Sequence, residues 1–300
     1  MNVINENSPW GEKEKKEWLN DQVIKRSYPE EVVSQIQNLK DQFEVIQYGA
    51  LSYNPEKYPL FILKNLSFDP SKKNVLITGG VHGYETSGIH GALKFLSDKA
   101  SNYTDNLNII CVPCISPWGY ETINRWNPKA VDPNRSFFTD GPAEECNLVM
   151  KAIEDMNLDI LVHFDLHETT DTDNTVFRPA LEQRDSVKQE QWDIPDGFYL
   201  VGDSDDPKYE FQKAMIDSVR EVTHIAPSDK DGKIIGNTIT QEGVINYPIK
   251  TLNLCVAFSS SKYCTTTEVY PDSPKVTDEE CNQAQVAAVC GGLNYILNQP

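Results

Sequence analysis

Residues 75–85 read Val75-Leu76-Ile77-Thr78-Gly79-Gly80-Val81-His82-Gly83-Tyr84-Glu85. The apolar run predicts a buried strand, and Ser87 to Leu96 predicts a helix. Between them the glycines let the backbone turn sharply. That turn puts His82 and Glu85 together at the carboxyl edge of a sheet, where α/β proteins carry their sites. An imidazole and a carboxylate three residues apart can grip one cation. Zinc takes nitrogen and oxygen donors, and a catalytic site needs a third protein ligand. A lone His-x-x-Glu is equally a surface loop, so the rest of the chain has to decide.

A chain of 300 residues buries a sizeable core, and 39% hydrophobic with 24% charged residues is an ordinary globular composition. The net charge of -18 argues against nucleic acid and anionic membranes as partners. Residues Met1 to Glu6 lack a basic stretch followed by an apolar run, so no signal peptide is expected there. No stretch approaches the roughly 18 apolar residues of a membrane span. A cytoplasmic protein is the expectation. Seven cysteines scattered along the chain fit free thiols, and Cys111-x-x-Cys114 reads as core rather than as a metal or redox pair.

Apolar runs alternate with helical patterns. Strands are expected at Phe43–Tyr48, Leu60–Leu63, Val75–Gly79, Asn108–Cys114, Asp159–Leu166, Phe198–Val201, Thr251–Phe258 and Tyr263–Val269. Helices are expected at Glu12–Lys25, Pro29–Phe43, Pro142–Met156, Tyr209–Val222 and Thr277–Leu297. The fold class is α/β, a mixed, mostly parallel sheet with helices on both faces. The domain expectation is a helical N-terminal extension over residues 1–43 and a catalytic domain over 44–300.

Three further stretches carry chemistry. Phe164-Asp165-Leu166-His167-Glu168-Thr169-Thr170 again follows a strand, which makes His167 the candidate third ligand. Asp165 can accept a hydrogen bond from a ligand imidazole and fix its tautomer. Glu168, Asp171 and Asp173 are candidate oxygen ligands for a second metal, although acidic loop residues are mostly just solvated. Between the ligand segments lie Ser116-Pro117-Trp118-Gly119-Tyr120, Arg125, Asn127 and Asp132-Pro133-Asn134-Arg135-Ser136-Phe137. A guanidinium there can hold a carboxylate in a two-toothed fork or steady an oxyanion. Finally, Thr265-Thr266-Thr267-Glu268-Val269 places a carboxylate in a β-branched strand, a costly position unless it faces solvent, metal or a partner. Glu268 is the candidate general base.

In this order the four stretches resemble the zinc carboxypeptidase family, the M14-type metallopeptidases, over about residues 70 to 270. The resemblance implies one zinc per chain, held by His82, Glu85 and His167. It implies Arg125 at the oxyanion, Asn134 and Arg135 on the substrate's terminal carboxylate, and Glu268 as the base. The substrate-capping tyrosine is assigned to Tyr263, with Tyr247 as the other choice. Ser116 and Pro133 depart from the family's usual Asn and Leu, and the interval from Glu85 to His167 is shorter than in the digestive enzymes. Asp165-Leu166-His167-Glu168-Thr169-Thr170 is also similar to the succinylglutamate desuccinylase and aspartoacylase branch, which hydrolyses N-acyl amino acids. The expected layout, with His82 well into the chain and one helix after Glu268, favours the carboxypeptidase arrangement. The expected activity is therefore cleavage of a C-terminal amide bond, on a peptide or acyl-amino-acid substrate with a free carboxylate. The alternatives are a deacylase with the same machinery and a non-catalytic binding module, though no ligand, base or arginine of the pattern is missing. No inhibitory pro-segment is recognisable, so restraint would come from a narrow entrance or a narrow specificity.

Overall fold

The computed structural model describes residues 8–299; the segment read above for a signal peptide and the start of the 1–43 extension lie outside them. Eight strands form one sheet: β1 (Phe43–Ala50), β2 (Pro59–Asn65), β3 (Lys73–Gly79), β4 (Leu107–Val112), β5 (Ile160–Glu168), β6 (Tyr199–Asp203), β9 (Val244–Tyr247) and β10 (Tyr263–Val269). The short pair β7 (Lys233–Ile234) and β8 (Asn237–Thr238) stands apart. The sheet order is β1-β2-β4-β3-β5-β10-β6-β9. Its centre is parallel from β4 through β3 and β5 to β10, and β6 with β9 is parallel again. The pairings of β1 with β2, β2 with β4 and β10 with β6 are antiparallel. The sheet is thus mixed and mostly parallel.

The central strands are buried on both faces, which is why they read as continuous apolar runs. Their side chains still alternate. Val75, Ile77 and Ile109 face one core with Ile89, Phe95, Phe211, Val289 and Leu293, from the helices Thr86–Asp98, Tyr209–Arg220 and Asp278–Leu297. Leu76 and Ile110 face the other, with Val149 and Ile153 of the helix Glu144–Asp155. Helices therefore cover both faces. Tyr28, Val32, Ile36 and Leu39 insert into the first core, so the segment before β1 is packed on the sheet's flank.

Most elements lie where the apolar runs put them. Three differences have local causes. Thr251–Phe258 is not a strand: Asn253 turns at φ 53°, and Cys255–Phe258 forms one short helical turn. Leu254, Cys255 and Val256 are buried, and a short run apolar on all sides carries no period that tells strand from helix. β5 runs on to Glu168, so His167 is the end of a strand rather than the start of a loop. The helix Arg178–Asp185 was not anticipated; it has no fully buried residue and hence no apolar stripe to read.

Candidate metal and substrate site

The parallel register sets the level of every site residue. Gly79 lies opposite Leu166, and Glu268 lies opposite His167. The carboxyl ends of β3, β5 and β10 therefore meet at one edge. After β3 the chain turns through Gly80, at φ 59°, and passes Gly83, where a Cβ would sit 2.1 Å from the Ser116 carbonyl oxygen. Only glycine allows that approach, and it aims His82 and Glu85 back toward β5.

His82, Glu85 and His167 are each buried, and their donor atoms lie within 4.8 Å of one another. His82 Nε2–H donates to Asp132 Oδ1 at 2.9 Å, and His167 Nε2–H donates to Asp165 Oδ2 at 2.7 Å. Each imidazole therefore turns Nδ1 inward. The two Nδ1 atoms stand 2.8 and 2.7 Å from the two oxygens of Glu85. Two ring nitrogens and one carboxylate converging on one buried point fit the zinc donor set. Asp165 is itself held by the Thr78 hydroxyl at 2.6 Å, and Asp132 by the Asn134 amide N–H at 2.9 Å. These outer carboxylates set which ring nitrogen faces in. The Asp165 contact was anticipated. Asp132 was quoted with its segment, but its partner 50 residues away is a tertiary fact.

Electrostatics follow the geometry. Burial alone would raise Glu85, Asp132 and Asp165, but facing cations hold all three below the usual carboxylate range: the imidazoles for Glu85 and Asp165, and Arg125 with His82 for Asp132. Glu268 goes the other way: burial and then the charge of Glu85 push it up. Its Oε2 accepts from the Thr169 hydroxyl at 3.0 Å.

Beside the triad lies a cavity of about 180 Å³. Its walls include His82, His167, Arg125, Asn134, Arg135, Glu268 and Tyr247, so the arginine segment does reach the cleft. Arg125 bridges Asp132 at 3.3 Å and Asp173 at 3.5 Å and lies over Phe177. The Cys255 N–H donates to the side-chain Oδ1 of the buried Asn134 at 2.8 Å, whereas Arg135 is exposed at the mouth. Tyr263 requires correction. It begins β10, at the amino edge of a strand parallel to β5, about 16 Å from Glu268 by strand rise. It packs on Phe211 and Tyr295 instead. Tyr247, at the end of β9, lines the cavity, as does Tyr199 of β6, whose hydroxyl is bonded to the Thr169 hydroxyl at 2.8 Å.

The acids weighed for a second metal are engaged by donors. Glu168 accepts from the Thr86 and Ser87 amides at 2.9 and 2.7 Å, capping the start of that helix. Asp173 accepts from the Tyr84 hydroxyl and the Thr170 amide, and Asp171 from the Tyr270 hydroxyl. Phe177 and Arg178 also line the cavity, and sequence reading missed both. A basic residue soon after a ligand strand was the available signal. Among the described residues, no helix is long and apolar enough to cross a membrane.

Residues 71–199 match the sequence model of the succinylglutamate desuccinylase/aspartoacylase catalytic domain. No curated protein matches the chain. Solved structures share the fold. A candidate metallopeptidase from Shewanella amazonensis SB2B superposes with a TM-score of 0.68 at 16% identity, over 92% of this chain and 98% of that one. A metallo-carboxypeptidase from Burkholderia cenocepacia gives 0.58 at 17%, over 97% and 70%. One from Pseudomonas aeruginosa, in complex with (2-guanidinoethylmercapto)succinic acid, gives 0.60 at 14%, over 89% and 68%. The chain thus has the carboxypeptidase-like fold and an M14-like resemblance with a succinylglutamate desuccinylase/aspartoacylase relationship. These likenesses show the fold, and residues 71–199 carry the sequence pattern of that catalytic domain.

Proposed function

We propose that this chain is a zinc-dependent carboxypeptidase that hydrolyses the C-terminal amide bond of a peptide. The observation that carries the reading is the cavity itself, which joins His82 and His167, Glu268 and an exposed arginine, Arg135, in one space. His82, Glu85 and His167 would hold one zinc, which supplies water activation and polarisation of the scissile carbonyl. Glu268 takes a proton and returns it to the leaving amine; its raised affinity for protons suits a base that must also act as an acid. Arg125 faces the tetrahedral oxyanion. Arg135, with Asn134, receives the terminal carboxylate, and Tyr247 replaces Tyr263 as the tyrosine over the substrate. The catalytic domain is taken as residues 44–300 with residues 1–43 as an extension, and the protein as cytoplasmic.

The match over residues 71–199 favours a second reading, a deacylase acting on N-acyl amino acids with the same machinery. Chain length of the substrate separates the two. A carboxypeptidase gains rate from residues upstream of the scissile bond, because remote binding energy lowers the barrier. The test is kcat/KM for an N-acetyl amino acid against a blocked tripeptide with the same C-terminal residue. The tripeptide should win; a faster acetyl amino acid would replace the first reading by the second.

A further inference from the structure

The segment before β1 sends one side chain to the turn that carries His82 and Glu85. The half-buried Arg26 donates from Nε to the Tyr120 carbonyl oxygen at 2.9 Å and from Nη1 to the Thr86 hydroxyl oxygen at 2.6 Å. Its Nη2 donates more weakly, at 3.4 Å, to the carbonyl oxygens of Gly83 and Tyr84. The Thr86 hydroxyl extends the contact by donating to the Tyr84 carbonyl at 3.2 Å. Every acceptor is neutral, and the guanidinium also lies over the Tyr120 ring, 4.0 Å from its centroid. The backbone that carries Arg26 is itself anchored. The Lys25 and Arg26 amides donate to the Glu121 carbonyl oxygen at 2.8 and 3.2 Å. The Tyr28 amide donates to Glu121 Oε1 at 3.1 Å, and the Tyr28 hydroxyl to the Pro59 carbonyl at 2.7 Å.

The turn needs an outside hold. β3 ends at Gly79 and the next helix begins at Thr86, so the backbone of both ligands before β5 lies outside regular structure. Gly80 and Gly83 permit its path but add conformational freedom. Among the described residues the Gly83 carbonyl oxygen has no donor other than Arg26. A planar guanidinium can bind several carbonyls at fixed angles, which a single ammonium cannot. We infer that Arg26 is a positioning residue for the metal centre. It ties the Gly83–Thr86 turn to the Tyr120 carbonyl and so holds His82 and Glu85 at the spacing that one zinc requires. It touches neither substrate nor reacting atoms. This inference rests on the metal site of the hydrolase reading above and not on which amide is cleaved.

Metal affinity tests the inference without requiring turnover. The zinc-loaded full-length protein is titrated with a chromophoric chelator, and the transfer of zinc gives the affinity. Arg26→Gln should weaken zinc binding by about 10–100-fold, the range for losing an outer contact of a metal ligand. Arg26→Lys keeps the charge without the fork and should recover only part of the loss. Tyr28→Phe is the control: it loosens the same segment at the Pro59 carbonyl without touching the turn. It should lower the melting temperature and keep the wild-type zinc affinity. Cobalt in place of zinc gives a second readout, since Arg26→Gln should change its visible absorption and Tyr28→Phe should not. Wild-type affinity in Arg26→Gln, or an equal loss in Tyr28→Phe, overturns the inference. Should Arg26→Gln not fold, Arg26→Lys decides by the same comparison. A wild type that binds no zinc removes the inference together with the metal reading. A wild type that holds zinc and cleaves no peptide, with the Arg26 effect present, sinks only the carboxypeptidase reading.

Discussion

The two sides of the cleft are built differently. The candidate metal side is made of strand ends. His82, Glu85 and His167 are buried, sit on or beside parallel strands locked in register, and are each held by a second partner. The cavity's other wall is made of segments far apart in sequence: Arg135 after a short loop, Phe177 at the end of a helical turn, Arg178 at the start of an unstriped helix, Tyr247 on a short outer strand and Leu254 on a turn. Its polar groups are half-buried or exposed at the mouth. Chemistry that tolerates no slack is placed on the rigid centre, and recognition is placed on parts that can vary without disturbing the sheet.

If that division is right, the largest losses come from the metal side. His167→Ala removes one of three donors, and the protein should lose most of its zinc, measured by elemental analysis after dialysis. Full retention would remove His167 from the ligand set.

Next is Glu268, which spans the two sides. Glu268→Gln keeps the shape and the Thr169 contact but not the proton acceptor. Zinc content and melting temperature should hold while kcat falls by at least about 10²-fold, the low end for lost general-base catalysis. Near-normal turnover assigns the base elsewhere.

The substrate side should yield smaller effects, and only where its residues face the cavity. Tyr247→Phe removes one hydroxyl beside the substrate and should raise KM about fivefold, the worth of one hydrogen bond. Tyr263→Phe should leave both kinetic constants alone, since its ring packs on Phe211. The reverse pattern would restore the sequence-based assignment.

The smallest effect concerns what lies under the arginine loop. Asn127 donates weakly to Glu145 Oε2 at 3.4 Å, and Glu145 Oε1 is buried without a partner among the described residues. Burial pushes the Glu145 carboxyl up to about 7. Its folded value therefore lies above its unfolded one, so its stabilising contribution is full below an ordinary carboxyl value of roughly 4.5 and is lost as pH rises through about 7. Glu145→Gln lacks that loss. Relative to wild type the variant should gain about 1–3 kcal/mol between pH 5 and 8, at roughly 1.36 kcal/mol per pKa unit. Parallel stability curves for the two proteins, from denaturant melts across that range, would show that Glu145 titrates normally.

The sequence by itself brought out the candidate metal cluster of His82, Glu85 and His167. Each candidate ligand lies at or just after an apolar run read as a buried strand, and the glycines at 79, 80 and 83 marked the sharp turn. Local chain geometry sufficed there, because a strand end and a tight turn fix side-chain direction within a few residues. Only the tertiary structure decided the rest. Tyr263 and Glu268 lie on one strand, and strand direction in the sheet is what separates them to opposite edges. Asp132 finds His82, Asn134 finds the Cys255 amide, and Arg178 comes to the cavity from an exposed helix without a readable stripe. Those contacts join residues tens to over a hundred positions apart, and no period or spacing along the chain encodes which distant partner a polar side chain will meet.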